Sequence, residues 1–239
     1  MKRMLALLTG IALGGSPLTL AGEATAVSIA TNGGVASASA TAIGNSRSTA
    51  IAGATRGGQA IANSTARGHG WGFADSRSVA IADRGLAISN ANADALGIFG
   101  GTAIADSESI AATIGGLAIS NSDAIADGVF HGRATSRSYS TALSEYGSAF
   151  SDSRAVSRGV LAGHATSVSD SFSNTRFGHA DSRVQVVSDA GYHAQAYSDG
   201  IGISVSGPLR HSQADVRAES RASLFGQAQS RSAVIQIRR

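Results

Sequence analysis

Four histidines are the first residues of this chain whose type and placement suggest chemistry. His164, His179 and His193 each stand at the opening of a recurring unit, and His131 lies in an adjacent glycine-bearing stretch. Stacked imidazoles would offer nitrogen ligands to a transition metal. A metal site also needs short fixed ligand spacing and carboxylates behind the histidines, and the sequence has neither, so these residues read as polar loop positions. Carboxylates recur at Asp106, Asp123, Asp152 and Asp170, and Arg137, Arg154 and Arg183 share their alternate positions. A catalytic carboxylate pair or a calcium site is one reading. The nonapeptide of calcium-binding β-rolls and the EF-hand loop are both missing, and cross-strand charge pairing that fixes register explains the pattern better.

Serine is abundant, but no Gly-x-Ser-x-Gly elbow with a base accompanies it, and no phosphate-binding loop occurs. Trp71, inside Gly68-His69-Gly70-Trp71-Gly72, is placed either to stack on a sugar or to plug a loop. Regular Thr-x-Thr runs of the ice-binding kind are absent. The expectation is a protein without catalytic, cofactor or metal residues, and not an enzyme.

The elements that would carry such a chain are constrained by its composition. Of 239 residues, 30 are glycine, aromatics are 5%, and alanine is the largest single part of the 43% hydrophobic share. Large aliphatics are too sparse to fill a globular core at native density. Two prolines exclude a polyproline stalk, and charged residues of both signs, 15% in all, argue against a solvated tail. Lys2 and Arg3, the apolar run Met4 to Leu13 and the small residues Thr19-Leu20-Ala21-Gly22 read as a secretory signal over 1–22, with cleavage near Ala21 to Ala24. That run is too short to span a bilayer. Losing Lys2 and Arg3 takes the basic residues from 19 to 17 against 16 acidic ones, about +1, which leaves no electrostatic footprint for nucleic acid. The chain has no cysteine, so an exported product must be stabilised by repetition or assembly.

Repetition is plain from Gly85 onward. Cut after each glycine-bearing loop, the chain falls into Leu86–Gly101, Thr102–Gly116, Leu117–Gly132, Arg133–Gly147, Ser148–Gly163, His164–Gly178 and His179–Tyr192, with lengths of 16, 15, 16, 15, 16, 15 and 14. Each begins with a variable residue and then alanine: Ala87, Ala103, Ala118, Ala134, Ala149, Ala165, Ala180. Small residues follow at every second position, as in Ala118, Ser120, Ser122, Ala124, Ala126 and in Ala134, Ser136, Ser138, Ser140, Ala142. This is the spacing of one face of a β-strand. The other positions, such as Asn121, Asp123, Arg137 and Tyr139, are too polar or bulky for a dry interior. The Ala/Ser face therefore points inward. Glycines close each unit by supplying positive φ at tight corners, and the large apolar residue beside each is expected to fold over the end of the thin core.

An alternating run of about nine residues makes a strand roughly 30 Å long. The remainder of each unit reaches at most about 20 Å and cannot return the chain to its start. A straight strand therefore requires two strand-loop units per coil, with two facing sheets. A coil of a single unit, bending within each alternating run, competes with it. An antiparallel meander would leave one face uncovered. The expected architecture is an all-β parallel β-solenoid (a β-helix or β-roll) over 23–239, a single repeat domain with an Ala/Ser core. Alanine burial contributes about 0.8 kcal/mol per methyl against about 1–2 kcal/mol to order each backbone unit, so the hydrogen-bond ladder must supply the balance, with inward serines bonding along the stack.

This arrangement resembles curli-type bacterial amyloid subunits, whose strand–turn–strand repeats wind into a solenoid that stacks end to end, although the glutamine and asparagine positions of curli repeats are not matched. Ser78-Val79-Ala80-Ile81-Ala82 and Gly85-Leu86-Ala87-Ile88-Ser89 are also similar to the head repeats of YadA-like trimeric autotransporter adhesins, but no heptad stalk follows them. The resemblances imply a secreted or cell-surface bacterial protein. The first expectation is an extracellular-matrix or biofilm subunit that associates with itself into fibres. The alternative is an adhesin binding surface polysaccharide or a host or abiotic surface. The β-prone, weakly charged run Ser232-Ala233-Val234-Ile235-Gln236-Ile237 is the expected assembly edge, through Val234, Ile235 and Ile237.

Overall fold

A computed structural model describes residues 21–70, 72–97, 102–129, 133–160, 164–191, 195–206, 211–222 and 227–238. The leader read over 1–22 lies outside them, except for its last two residues. So do Trp71, His131 and His193. Thirteen strands follow in chain order: β1 (Ala21–Ala30), β2 (Val35–Ile43), β3 (Asn45–Ala54), β4 (Gln59–Gly70), β5 (Phe73–Ala82), β6 (Leu86–Gly97), β7 (Thr102–Thr113), β8 (Leu117–Gly128), β9 (Arg133–Gly159), β10 (His164–Ala190), β11 (Gln195–Ser206), β12 (Ser212–Ala222) and β13 (Gln227–Arg238).

Every pairing is parallel, and together they build a β-solenoid with two facing layers. The front layer stacks β1, β3, β5, β7, 133–144 of β9, 164–175 of β10, β11 and β13. The back layer stacks β2, β4, β6, β8, 148–159 of β9, 179–190 of β10 and β12. One coil therefore takes one strand from each layer, the double-length coil that strand geometry requires. In the central stack Thr102 pairs with Arg133 and Arg133 with His164, so two sequence units make one turn. The first coils are shorter, since Ala21 already pairs with Asn45 and Ser46 with Ala74. β9 and β10, of 27 residues each, pass from front to back with their pairing interrupted only at Glu145 and Arg176.

The inward row is the alanine/serine row. Ala87, Ala103, Ala118, Ser120, Ser122, Ala124, Ala134, Ser136, Ser138 and Ala149 are all at most 3% exposed. Alanines gather at the two corners of the coil and serines occupy the middle. One cluster holds Ala80, Ala87, Ala111, Ala118, Ala142 and Ala149, and a second holds Ala74, Ala95, Ala105, Ala126 and Ala134. Between them the serine hydroxyls mostly bond across the gap, not along the stack as expected. Ser109 Oγ donates to the Ser89 carbonyl at 2.7 Å, Ser120 Oγ to that of Ser109 at 2.7 Å, and Ser140 Oγ to that of Ser120 at 2.6 Å. Each step changes layer. A second zigzag links Ser107, Ser122, Ser138 and Ser153, with donor distances of 2.7 Å. Side chains this short let the layers approach until a hydroxyl on one reaches a carbonyl on the other.

The corner glycines act through close approach more than through dihedral freedom. A Cβ on Gly116 would stand 1.9 Å from the Gly85 carbonyl oxygen, and one on Gly147 would stand 1.9 Å from that of Gly116. Gly58, Gly85, Gly116, Gly147 and Gly178 each sit on the glycine of the preceding coil. Among the described residues, positive φ falls instead on Asn32, Arg56, Arg84, Gly33, Gly44 and Gly57. Nor do the large residues beside Gly147 and Gly178 plug the core. Tyr146 and Phe177 are exposed and stack on each other outside it, rings parallel at 5.2 Å.

Candidate assembly ends and outer faces

Parallel stacking places residues one coil apart in columns, so each outward property becomes a line along the axis. On the back layer Asn63, Asn90 and Asn121 form an amide ladder: Asn90 Nδ2 donates to Asn63 Oδ1 and Asn121 Nδ2 to Asn90 Oδ1, each at 2.8 Å. Each of these pairs is also a register pair of neighbouring strands, so the amides are spaced by the local coil length. Reading the sequence at that offset would have found the ladder, and also the Tyr146–Phe177 pair.

The amides line a shallow groove of about 570 Å³ with Asp123, Asp152, Arg154 and Arg183. Phe150 stands at a smaller hollow that shares Asn121, Asp152 and Arg183. Such a surface offers planar donors and acceptors to a polyhydroxylated or polar ligand. On the front layer Val27, Ile51, Val79 and Ile110 form one aliphatic column, which continues through Thr141, Phe172 and Ile203 to Ile235.

Asp106 and Asp123 pair with arginines of neighbouring coils, as the charge pattern indicates, whereas Asp152 and Asp170 form no ion pair among the described residues. Asp106 lies 3.8 Å from Arg137, Asp123 lies 3.9 Å from Arg154, and Asp75 lies 2.9 Å from Arg47. Exposed pairs of this kind contribute about 0–1 kcal/mol each. Partial burial pushes the Asp106, Asp123, Asp127 and Asp152 carboxyls above their ordinary range, outweighing the arginines beside them. Asp170 is raised as well, by burial and by the neighbouring Asp199. One carboxyl oxygen each of Asp106, Asp123 and Asp127 is buried without a hydrogen-bond partner.

The histidines do not stack in sequence order. His164 is in the front layer beside Arg133 and Gln195, and His179 is in the back layer, its ring 5.6 Å from that of His211. Consecutive units always fall on opposite layers, which separates them. Among the described residues, no group of three or more His, Asp or Glu is placed to hold a metal ion.

The ends of the stack remain. β1 pairs only with β3, β2 only with β4, β12 only with β10 and β13 only with β11 among the described residues. Each end therefore presents two unpaired strand edges. At one end Ile43 is 62% exposed, and at the other Val234, Ile235 and Ile237 are 50%, 43% and 36% exposed. No protein-family model, curated protein or solved structure matches the chain.

Proposed function

We propose that this chain is a secreted, non-enzymatic structural protein that associates with itself end to end into extracellular fibres. The observation that carries this reading is the pair of open ends. Both expose strand edges of the direction and spacing that a further coil would use, and aliphatic side chains flank them. Open edges of this kind template addition of another chain. A solenoid is also stabilised by its neighbours coil by coil, so extending the stack stabilises its terminal coils most. Fibres of the exported protein should diffract at about 4.7–4.8 Å along their axis. Deleting residues 230–239, or placing proline at Ile235, should slow fibre growth while far-ultraviolet circular dichroism of the inner coils persists. A chain that stays monomeric at high concentration and ignores both changes would overturn the reading.

A second reading is favoured by the amide groove along Asn63, Asn90 and Asn121, which suits a linear polysaccharide lying on the outer back face. Binding of soluble polysaccharides to monomeric protein, lost on Asn90→Leu, would put an adhesin role first.

A further inference from the structure

The two layers end unequally. Among the described strands the front layer has eight strand positions and the back layer seven, because the stack both begins and finishes in front, at β1 and at β13. β13 shows the consequence. Val234 belongs to its inward row, in register with buried Gly202 of β11, and is nevertheless 50% exposed. The back-layer place that would cover it lies beyond β12.

A second copy added in the same orientation would set its β1 on β13, front on front. Its β2 would then arrive two positions beyond β12, and one back-layer place would stay empty at every joint. A copy turned by half a turn about the solenoid axis leaves no vacancy. Its β1 takes the open place on β12 and covers Val234, and its β2 lies on β13. Strand direction is preserved, because front and back strands run in opposite senses and the half-turn exchanges them.

Side chains follow. Aligned by the first inward residue of each strand, Ala36, Ala38, Ala40 and Ala42 of the next copy stack on Ala228, Ser230, Ser232 and Val234, and its exposed Ile43 meets Ile235. The unturned joint has merits of its own. It sets Glu23 on Arg231, Val27 on Ile235 and Ile29 on Ile237. The turned joint forms two backbone ladders where the unturned one forms a single ladder. A further ladder of about ten hydrogen bonds outweighs three outward pairs.

We propose that successive copies join head to tail with a half-turn between them, β1 of one copy on β12 and β2 on β13 of the copy before it. This rests on the fibre reading. The asymmetric unit is then fifteen strand positions, or seven and a half coils, with a rise of about 36 Å per copy.

The chain has no cysteine, so introduced thiols report the joint alone. Adjacent parallel strands bring in-register Cα atoms within disulfide reach, about 4.4–6.8 Å. Fibres grown from a mixture of Ile43→Cys and Ile235→Cys proteins should yield disulfide dimers on oxidation, and neither protein alone should. A mixture of Ile29→Cys and Ile237→Cys proteins should give none. Electron cryomicroscopy of wild-type fibres should show the half-turn added to the solenoid's own twist. Fibres that cross-link through the Ile29 and Ile237 positions, or that lack the half-turn, would overturn this joint and leave the fibre reading standing. A chain that forms neither fibres nor cross-links at any concentration would overturn both.

Discussion

The coils between Leu86 and Gly159 and the coils beyond His179 fill the same gap with different side chains. In the central coils serine faces serine, and the hydroxyls zip the layers together. One coil later the back-layer column that held Ser122 and Ser153 becomes Val184, and the column of Ala124 and Ala155 becomes Val186. The front layer answers at once. The column of Ser138 and Ser169 becomes Gly200, and that of Ser140 and Ser171 becomes Gly202. A Cβ on Gly200 would stand 2.9 Å from a Val186 methyl and 3.0 Å from one of Val184. A larger side chain on one layer is thus met by the loss of one on the other. What changes is the means of cohesion, from hydrogen bonds across the gap to apolar contact.

The most damaging test of this comparison strikes the stack itself. Gly147→Ala in the central coils should destabilise by about 3 kcal/mol or more, since the methyl would collide with a backbone carbonyl that the ladder cannot release. Gly53→Ala, with nothing within 4 Å of the new methyl, should leave the denaturation midpoint unchanged. Equal midpoints for the two variants would show that the glycine column does not fix the coil spacing.

The gap should respond next. Ser122→Leu should cost about 1–3 kcal/mol by overfilling, while Asn121→Leu and Asp123→Leu on the outward row should be mild. In the later coils Gly200→Ser should cost a similar amount, because the valines opposite leave it no room. Adding Val184→Ser should recover much of the loss. Thermal melting of the wild type, the two single variants and the double variant forms a cycle. Absence of recovery would mean that the two layers do not share one volume.

Much of this was legible in the residues and some was not. The run Ala118, Ser120, Ser122, Ala124 declares its inward face by period two, and strand length against loop reach favours the two-strand coil over a bent single-unit one. The destination of the serine hydroxyls was not legible. Which carbonyl Ser120 reaches depends on the spacing between layers, which no local pattern encodes. Corner glycines looked like turn formers, because the sequence does not show that Gly116 rests on Gly85. His164 and His179 do not stack because consecutive units alternate between layers, so only residues a full coil apart meet. At the ends of the stack, Val234, Ile235 and Ile237 were readable as an exposed edge. The unequal strand count was not, since it depends on the shortened first coils.

The smallest effect expected concerns pH, and it sets the outer face against the core. Among the described residues the core of both regions carries no titrating group, so pH should act through Asp106, Asp123, Asp127, Asp152 and Asp170. Their carboxyls are raised in the fold, chiefly by burial, above an unfolded value near 3.9. Between that value and the raised ones, the folded chain binds more protons than the unfolded chain. Stability therefore falls as pH rises through this window and levels off above it. Acidification from neutral pH towards 4 should raise the melting temperature, the reverse of what carboxylates stabilised by ion pairs would give. Asp123→Asn should flatten the profile and stabilise at neutral pH, because burial disfavours its charge more than Arg154 favours it. The effect stays modest, as the side chains of Asp106 and Asp123 are each 34% exposed and solvent screens them. Four of the five lie between Asp106 and Asp152 and only Asp170 lies beyond, so the response should come from melting of the central coils. Hydrogen exchange resolved by peptide would show protection rising there on acidification, with the coils beyond Gln195 unchanged. A uniform response along the stack would mean that the whole solenoid melts as one unit.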